Sequence, residues 1–342
     1  MDAACGVLEV MAGSVAWLWR RAIGRGKGYA RNGIDEDDSA PQSPCMVTAR
    51  VLCTDLAGLR SQVFGLAEAA GYEVELRTLE FKSPWDKISA GLWVNPRWAV
   101  GAEAFAGPLP PLVIGAGGAG ARVAAALRQP GVKVVAVQHP RMALRKFDLV
   151  MVSRHDGVEG ENVIVTRTAL HRVTPARLAA EKLRWAPVFV AQKRPLLAVL
   201  LGGSNGRYRF DPPLARELAG ALRDMILRGE AGVVITPSRR TSPEVVRVLR
   251  EALEPLGAWV WDGSGDNPYF GMLACADAVL ATADSVSMVS EAVATHVPVL
   301  LLRLPGKSER IGMFMDMLVA DGRVRDFNGK LELWDCAPLD DT

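Results

Sequence analysis

The 342-residue chain lacks several features that would place it in a specialised class of protein. It has no large excess of charge, with 40 Lys and Arg against 38 Asp and Glu, and so lacks the basic surface that nucleic-acid binding requires. Its 5 cysteines stand singly, without a CxxC pair or histidines at metal-ligand spacing, which favours reduced thiols and no structural metal. No apolar run reaches the ~20 residues of a membrane-spanning helix. The sequence therefore predicts a soluble cytoplasmic protein that binds neither metal nor nucleic acid.

The first 45 residues differ from the rest of the chain. Val7–Trp19 is apolar and several arginines follow it, which is the reverse of the order in a secretory signal. An Arg-rich mitochondrial presequence is one alternative, although Asp2 and Glu9 count against it, and peripheral contact with a membrane surface is another. Residues 35–44 are acidic and then rich in serine and proline, as solvated linkers are. We therefore expect residues 1–45 to form a flexible extension, with mitochondrial targeting as the alternative.

The body of the chain alternates short apolar runs with amphipathic stretches, a pattern typical of βαβ units on a parallel sheet. One series of units begins at Val47 and a second at Leu196, with a helix and a connector between them over 174–193. A chain of this length also exceeds the size of one ordinary hydrophobic core. The predicted fold is α/β, with two doubly wound Rossmann-like domains. The expected domains are 46–185 and 186–320, followed by a C-terminal tail over 321–342.

The apolar runs give the expected positions of the strands, and the amphipathic stretches those of the helices. The predicted strands are 47–53, 112–114, 133–137, 149–152, 196–201, 232–236, 258–261, 278–281 and 297–302. The predicted helices are 59–70, 121–128, 212–228, 243–254 and 285–295.

The loops that follow the strands of the second series are small, polar or rich in glycine. Doubly wound sheets bind ligands at these carboxyl ends. Glycines allow close approach to backbone N–H groups, arginine donates bidentately to phosphate, and a helix start with free N–H groups attracts anions. The loops are Gly202–Tyr208, Pro237–Thr241, Asp262–Tyr269 and Thr282–Met288. Together they predict an anion or nucleotide site in the second domain.

Glu291 lies within the helix that begins near Ser285 and is surrounded in sequence by apolar residues. A carboxylate at this position can accept hydrogen bonds from the two hydroxyls of a ribose. An exposed glutamate without a ligand is the alternative interpretation, because glutamate is rarely buried.

A glycine motif in the first domain matches the dinucleotide-binding pattern GxGxxG over Gly115–Gly120. The NAD-binding version requires an acidic residue at the end of the next strand, where this chain has Gln138-His139-Pro140-Arg141. The motif also lies in the middle of its domain. We therefore do not expect NAD or another cofactor, and the expected small molecule is a nucleotide-sugar co-substrate.

Several of these segments together resemble the mitochondrial fission ELM-type family, whose bacterial members are described as glycosyltransferases. The resemblance extends from about Val47 to Gly329. The segments that carry it are Gln138–Arg141, Phe147–Val150, His155-Asp156, Asn162-Val163, Ala169–His171, Ser238–Thr241, Asn267–Tyr269 and Ala283–Ala292. The last segment is also similar to the nucleotide-binding stretch of GT-B enzymes such as the peptidoglycan N-acetylglucosaminyltransferase. The resemblance implies a GT-B-like fold, with the two doubly wound Rossmann-like domains facing a cleft.

The resemblance implies a role for individual residues. Serines at the helix start would contact phosphate and Glu291 the ribose, while cationic side chains and helix N-termini would replace a metal in stabilising the diphosphate. The expected nucleotide-sugar ligands are Gly202, Gly203, Ser204, Ser238, Arg239, Arg240, Asn267, Asp284, Ser285, Ser287, Met288 and Glu291. The expected acceptor-side residues are Gly58, Gln62, Gly115, Gln138, Arg141, His155 and Asp156, with Asp55 and His139 as the first candidates for a general base.

Two functions follow from this resemblance. The first is a metal-independent GT-B glycosyltransferase that binds a nucleotide-diphosphate sugar in the C-terminal domain and an unidentified acceptor in the N-terminal domain. The second is a non-catalytic GT-B-like scaffold that recruits a dynamin-related GTPase to the mitochondrion, as plant members of the family are thought to do.

Overall fold

The computed structural model describes residues 47–342, and the expected extension over 1–45 lies outside them. The chain divides into two compact units between Thr166 and Arg167, one helix earlier than the sequence suggests. The helix Pro175–Trp185 packs on the helix Tyr269–Cys275 of the second unit. The indole of Trp185 lies so close to Gly271 that a Cβ on this glycine would collide with it. This packing assigns residues 167–185 to the C-terminal unit.

The described part of the N-terminal unit is built on a six-stranded parallel sheet with the order β2-β1-β3-β4-β5-β6. Its strands are β1 (Thr48–Cys53), β2 (Glu73–Thr78), β3 (Leu112–Ala116), β4 (Lys133–Val137), β5 (Leu149–Ser153) and β6 (Val163–Thr166). Its α-helices are α1 (Ala57–Ala69), α2 (Pro96–Ala99) and α3 (Gly117–Ala126). The strand order reverses between β1 and β3, where a doubly wound sheet opens a crevice at its carboxyl edge.

The glycine motif after β3 allows α3 to pack closely against the sheet. A Cβ on Gly115 would collide with the carbonyl of Gly120, and a Cβ on Gly120 would collide with the carbonyl of Leu52 in β1. Gly117, at the start of the helix, has φ +64°, a backbone conformation that glycine adopts without strain. The motif therefore has a packing function in this unit.

The C-terminal unit contains a second six-stranded parallel sheet, with the order β12-β11-β10-β7-β8-β9. Its strands are β7 (Leu196–Leu201), β8 (Gly232–Pro237), β9 (Trp259–Val260), β10 (Ala278–Thr282), β11 (Val299–Leu302) and β12 (Val324–Asp326). Its α-helices are α4 (Pro175–Trp185), α5 (Pro212–Leu227), α6 (Pro243–Leu253), α7 (Tyr269–Cys275), α8 (Val286–Val293) and α9 (Glu309–Ala320). This is the strand order of dinucleotide-binding domains, with the reversal between β7 and β10.

The central strand β7 shows why its sequence is a continuous apolar run. Its even-numbered residues, such as Leu196 and Leu200, pack into one core, and its odd-numbered residues, such as Leu197 and Val199, pack into a second core across the sheet. Helices cover both faces of a parallel sheet, so both sets of side chains are buried. The sequence therefore predicts this strand with the bounds that the structure shows.

The last twenty or so residues belong to the C-terminal unit and do not form a separate tail. β12 extends the sheet beside β11. The Leu339 amide donates to the Val293 carbonyl at 2.8 Å, and the Asp341 carboxylate pairs with the Arg167 guanidinium at 2.7 Å. The two ends of this unit are therefore held together.

Three edge strands, β2, β6 and β12, are not predicted from the sequence. β2 has the sequence EVELRT, in which Glu75 accepts from both Arg50 and Arg77. An edge strand buries fewer side chains, and charges on it are common because they discourage pairing with other chains. The apolar run that identifies a central strand is consequently missing.

Candidate functional site

The candidate site of the C-terminal unit lies at the carboxyl ends of β7 and β10, where the strand order reverses. Three of the four predicted loops meet here: the glycine turn at 202–206, the arginine loop at 238–241 and the segment from Asp284 into α8. A Cβ on Gly203 would collide with the carbonyl of Arg240, and a Cβ on Gly202 would collide with the carboxylate of Asp284. Only glycine fits at these two positions, and the three loops are in van der Waals contact.

An ion pair joins two of these loops across the glycine turn. Arg240 Nη2 lies 2.8 Å from Asp284 Oδ2, and the Asp284 side chain is 0% exposed, whereas that of Arg240 is 40% exposed. The Gly203 amide also donates to Asp284 Oδ2, at 3.4 Å. Asp284 Oδ1 is buried and has no hydrogen-bond partner among residues 47–342. The Asp284 carboxylate thus contacts the Gly203 backbone N–H and the Arg240 guanidinium, the two groups that could bind a phosphate.

Two threonine hydroxyls hold the glycine turn in place. Thr282 Oγ1, at the end of β10, accepts from the Gly202 amide at 2.7 Å. Thr241 Oγ1 donates to the Gly202 carbonyl and accepts from the Ser238 amide, the latter at 2.9 Å. The Ser238 hydroxyl accepts from the Arg240 amide at 3.3 Å, which completes the turn of the arginine loop. These contacts give the loop a defined shape before any ligand binds.

Ser285 caps the N-terminus of α8. Its Oγ accepts from the Met288 amide at 3.4 Å and lies 3.4 Å from the hydroxyl of Ser287. The Met288 side chain is buried in the core, so this residue contributes packing at the helix start. Ser285 and Ser287 remain partly exposed, next to the positive end of the α8 dipole.

Glu291 is buried, which excludes the interpretation as an exposed helix glutamate. Tyr269 Oη donates to Glu291 Oε2 at 2.6 Å. Burial, followed by the charge and the hydrogen bond of Glu291, raises the pKa of the Tyr269 hydroxyl well above its usual value of 10.0. This contact connects the start of α7 to α8. Ser287 precedes Glu291 by four residues and so lies on the same face of the helix.

The remaining predicted ligands of this unit serve their own loops or face solvent. Asn267 Oδ1 accepts from the Tyr269 amide at 2.9 Å. Ser204 accepts from the amide of Phe210 at 2.9 Å and donates to its carbonyl at 3.1 Å. Arg239 is exposed beside Arg240. The structure therefore separates the residues that meet at the β7–β10 reversal from those that shape the loops around it.

In the N-terminal unit, Asp55 follows β1 and is exposed. Its Oδ1 forms an ion pair with Arg60 Nη1 at 2.7 Å. Cys53 ends the same strand, and burial raises the pKa of its thiol to about 11. This thiol stays protonated near neutral pH, so Asp55 is the better candidate for proton transfer at this strand end.

Two residues after β4 have left-handed backbone conformations, Gln138 with φ 70° and Arg141 with φ 53°. Such conformations are uncommon for residues other than glycine and concentrate at functional sites. Gln138 Nε2 donates to Gln62 Oε1 of α1 at 3.3 Å, so these two acceptor-side candidates meet. His139 Nδ1 accepts from the Arg141 amide at 2.8 Å, which leaves Nε2 as its other ring nitrogen for proton transfer.

The other acceptor-side candidates fall into two groups. Gly58 lies in the first turn of α1, and Gly115 is buried by the packing of α3 described above. His155 and Asp156 lie together in a short 3₁₀ helix after β5, over Arg154–Asp156. Their position after strand ends agrees with the sequence expectation, and their roles stay predictions.

Three side chains of the predicted loops shape the site in a way that the sequence did not indicate, namely Thr241, Thr282 and Tyr269. Each lies in a loop or at a strand end that the sequence analysis had identified, and each carries a hydroxyl, which was the available signal. Within residues 47–342, no group of three or more His, Cys, Asp or Glu side chains could hold a metal ion. Over the same residues, no helix has both the length and the apolar character needed to cross a membrane.

Two doubly wound units of this topology define a GT-B-like α/β fold. The solved UDP-GlcNAc 2-epimerase of Methanocaldococcus jannaschii shares it, with a TM-score of 0.51 and 14% identity over 86% of this chain and 96% of that one. Residues 57–342 match the model of the Mitochondrial fission ELM1 family. The chain belongs to this family.

Two curated relatives match this chain. It is 33% identical over 266 residues to the Mitochondrial fission protein ELM1 of Arabidopsis thaliana, covering 69% of this chain and 62% of that protein. It is 29% identical over 185 residues to the uncharacterized protein RP120 of Rickettsia prowazekii, covering 53% of this chain and 51% of that protein. The chain therefore spans less than two thirds of the length of either relative.

Proposed function

We propose that the C-terminal unit binds the diphosphate and ribose of a nucleotide sugar and that the chain is a metal-independent glycosyltransferase. The observation that carries this proposal is the meeting of the glycine turn, the arginine loop and the start of α8 at the β7–β10 reversal. Ligands of doubly wound sheets bind at such a reversal, and all three elements offer groups that favour an anion.

In this proposal, one group of residues binds the diphosphate and Glu291 binds the ribose. Arg240 and the α8 N-terminus, with Ser285 and Ser287, stabilise the negative charge that develops on the departing diphosphate. Glu291 accepts from the ribose hydroxyls, because it shares a helix face with Ser287 and already accepts from Tyr269 in a buried position. Because these groups stabilise the charge of the diphosphate, the proposed reaction needs no metal ion.

The acceptor is proposed to bind to the N-terminal unit, at the carboxyl ends of β1 and β4. Asp55 or His139 removes the proton of the acceptor hydroxyl in this proposal. The contact between Gln62 and Gln138 places polar side chains at the same edge of the sheet.

A second candidate function, a non-catalytic scaffold that recruits a dynamin-related GTPase at the mitochondrion, is favoured by one observation. The Asp284 carboxylate already occupies the glycine turn and neutralises Arg240. A site filled by its own anion is less receptive to a phosphate. The name of the Arabidopsis relative, a mitochondrial fission protein, agrees with this candidate.

Isothermal titration of the whole chain with UDP, GDP and their sugars separates the two functions. A transferase binds one of these nucleotides, and a scaffold binds none at millimolar concentration. Glu291→Ala is expected to weaken nucleotide binding by about 1–3 kcal/mol, the cost of losing a charge-assisted hydrogen bond. Glu251→Ala is the matched control, because Glu251 is an exposed helix glutamate of the same unit. Unchanged affinity of a folded Glu291→Ala protein would show that the ribose role is wrong.

A further inference from the structure

The segment between β2 and β3 of the N-terminal unit exposes large apolar side chains for which the proposed function has no use. Leu92 is 73% exposed, Val94 82% and Trp98 57%. They lie within seven residues of one another along the chain, in a segment of short turns around α2. Isolated exposed apolar residues are ordinary, but a group of this kind marks an interaction surface. We call Phe81–Trp98 the apolar segment.

The apolar segment is held in a defined conformation. Trp93 is 2% exposed and packs edge-on against Phe81, with ring centroids 5.5 Å apart. Arg122 of α3 donates to the carbonyls of Trp93 at 2.7 Å and Gly91 at 2.5 Å. The Lys82 amide donates to the Ala99 carbonyl at 2.9 Å, which joins the start of the segment to the residue that directly follows it. The exposed side chains are therefore presented by an anchored backbone.

Buried and exposed residues lie next to one another in the apolar segment. Leu92 ends a short 3₁₀ helix over Ala90–Leu92, and the chain is extended at Trp93. The Trp93 side chain is buried in the core, whereas those of its neighbours Leu92 and Val94 are exposed. In the short helix α2, Pro96 and Ala99 are buried, whereas Arg97 and Trp98 are exposed.

The charges of the apolar segment favour an anionic partner. Within the segment Lys82, Lys87 and Arg97 are exposed, against the single acidic residue Asp86, and the exposed Glu80 lies directly before the segment. Aliphatic and tryptophan side chains flanked by lysine and arginine suit the interface of an anionic bilayer, where the apolar tips enter the headgroup layer and the cations meet lipid phosphates. Short turns suit insertion into a bilayer, because lipid molecules adapt to the shape of the turns. A protein partner would instead need a surface complementary to that shape.

We propose that the apolar segment is a site of peripheral attachment to an anionic lipid surface. Leu92, Val94 and Trp98 insert between headgroups, and Lys82, Lys87 and Arg97 contact lipid phosphate. The attachment concerns the described N-terminal unit and does not depend on nucleotide binding by the C-terminal unit.

Co-sedimentation of the full chain with vesicles tests this attachment. The wild-type chain is expected to bind vesicles of phosphatidylcholine mixed with phosphatidylglycerol, to bind pure phosphatidylcholine more weakly, and to be released by salt. The double substitution Leu92→Ser and Val94→Ser is expected to lower the partition coefficient by about tenfold or more, because it removes two apolar side chains from the interface. Circular dichroism checks that the variant is folded.

The matched control is Leu183→Ser with Val190→Ser, at two positions of the C-terminal unit that are 82% and 81% exposed. Retained binding by this control, with loss in the Leu92/Val94 variant, supports the proposal. Equal vesicle binding by the wild type, the Leu92/Val94 variant and the control overturns the proposal, and is the result that attachment through residues 1–45 would give. A wild-type chain that binds neither kind of vesicle also overturns it. A concentration-dependent dimer that only the Leu92/Val94 variant loses, without vesicle binding, would instead show that a second copy occupies the surface.

Discussion

At the scale of single residues, the contact between Tyr269 and Glu291 couples the protonation of the tyrosine hydroxyl to the neighbouring carboxylate. The Tyr269 hydroxyl is the donor, so it must remain protonated for the contact to persist. Its pKa is raised well above 10.0, first by burial and then by the charge and hydrogen bond of Glu291. The unfolded chain loses this proton near pH 10, whereas the folded chain keeps it to a higher pH.

This difference predicts a loss of stability in alkali. Above about pH 10 the folded state binds one more proton than the unfolded state, so the free energy of unfolding falls by about 1.4 kcal/mol per pH unit through Tyr269. The fall continues until the pH reaches the folded-state pKa. Tyr269→Phe removes this contribution, and urea denaturation across the alkaline range measures it. Tyr72→Phe, in the other unit, is the control, and a Tyr269→Phe profile parallel to the wild-type profile would contradict the prediction.

At the scale of elements, the glycine turn after β7 explains how three loops come into contact. Gly203 and Gly206 lie in the same turn but differ in their surroundings. A Cβ on Gly203 would collide with the Arg240 carbonyl, whereas a Cβ on Gly206 would meet no atom of the described part of the chain within 4 Å. Neither residue has a positive φ, so the difference between them is one of space.

Alanine substitutions at these two glycines therefore have different expected effects. Gly203→Ala pushes the arginine loop away from Asp284 and lowers the free energy of unfolding by about 1–3 kcal/mol, a usual cost of overpacking. It also removes nucleotide binding, if the proposed function is correct. Gly206→Ala leaves both quantities within about 0.5 kcal/mol of the wild-type values. Chemical denaturation and titration calorimetry measure the two effects, and equal stability of the two variants would show that the close approach is not present in solution.

At the scale of the whole molecule, each unit has its own sheet and its own buried apolar side chains. One of the two cores of the C-terminal unit includes Val173 and Trp185 before its first strand and Val324 in its last one. The pair between Arg167 and Asp341 joins the beginning and the end of this unit. The unit thus needs residues on both sides of the range 186–320 that the sequence suggests.

Two fragments test this assignment. Residues 167–342 expressed alone are expected to unfold in one cooperative transition. Residues 186–320 are expected to lack one, because each large buried side chain contributes about 1.5–3 kcal/mol and several are removed from a domain whose total stability is about 5–15 kcal/mol. Thermal unfolding followed by circular dichroism distinguishes them, and cooperative unfolding of the shorter fragment would support the boundary suggested by the sequence.

The sequence alone determined the α/β class, the two doubly wound sheets and the four polar loops of the C-terminal unit. These features are local: a central strand such as β7 is apolar because both of its faces are covered, and its glycine turn follows directly in sequence. The fission family was also recognisable, since its motifs are short stretches of the chain.

Only the tertiary structure decided what the loop residues touch. That Asp284 lies on the glycine turn and pairs with Arg240, that Tyr269 holds Glu291, and that Trp185 belongs to the C-terminal unit all depend on residues 22 to 86 positions apart in sequence. Edge strands such as β2 likewise become visible only through the partner with which they pair. The physical reason is that local sequence specifies the propensity and burial of an element, whereas contacts between distant side chains arise only when the sheet brings their loops to one edge.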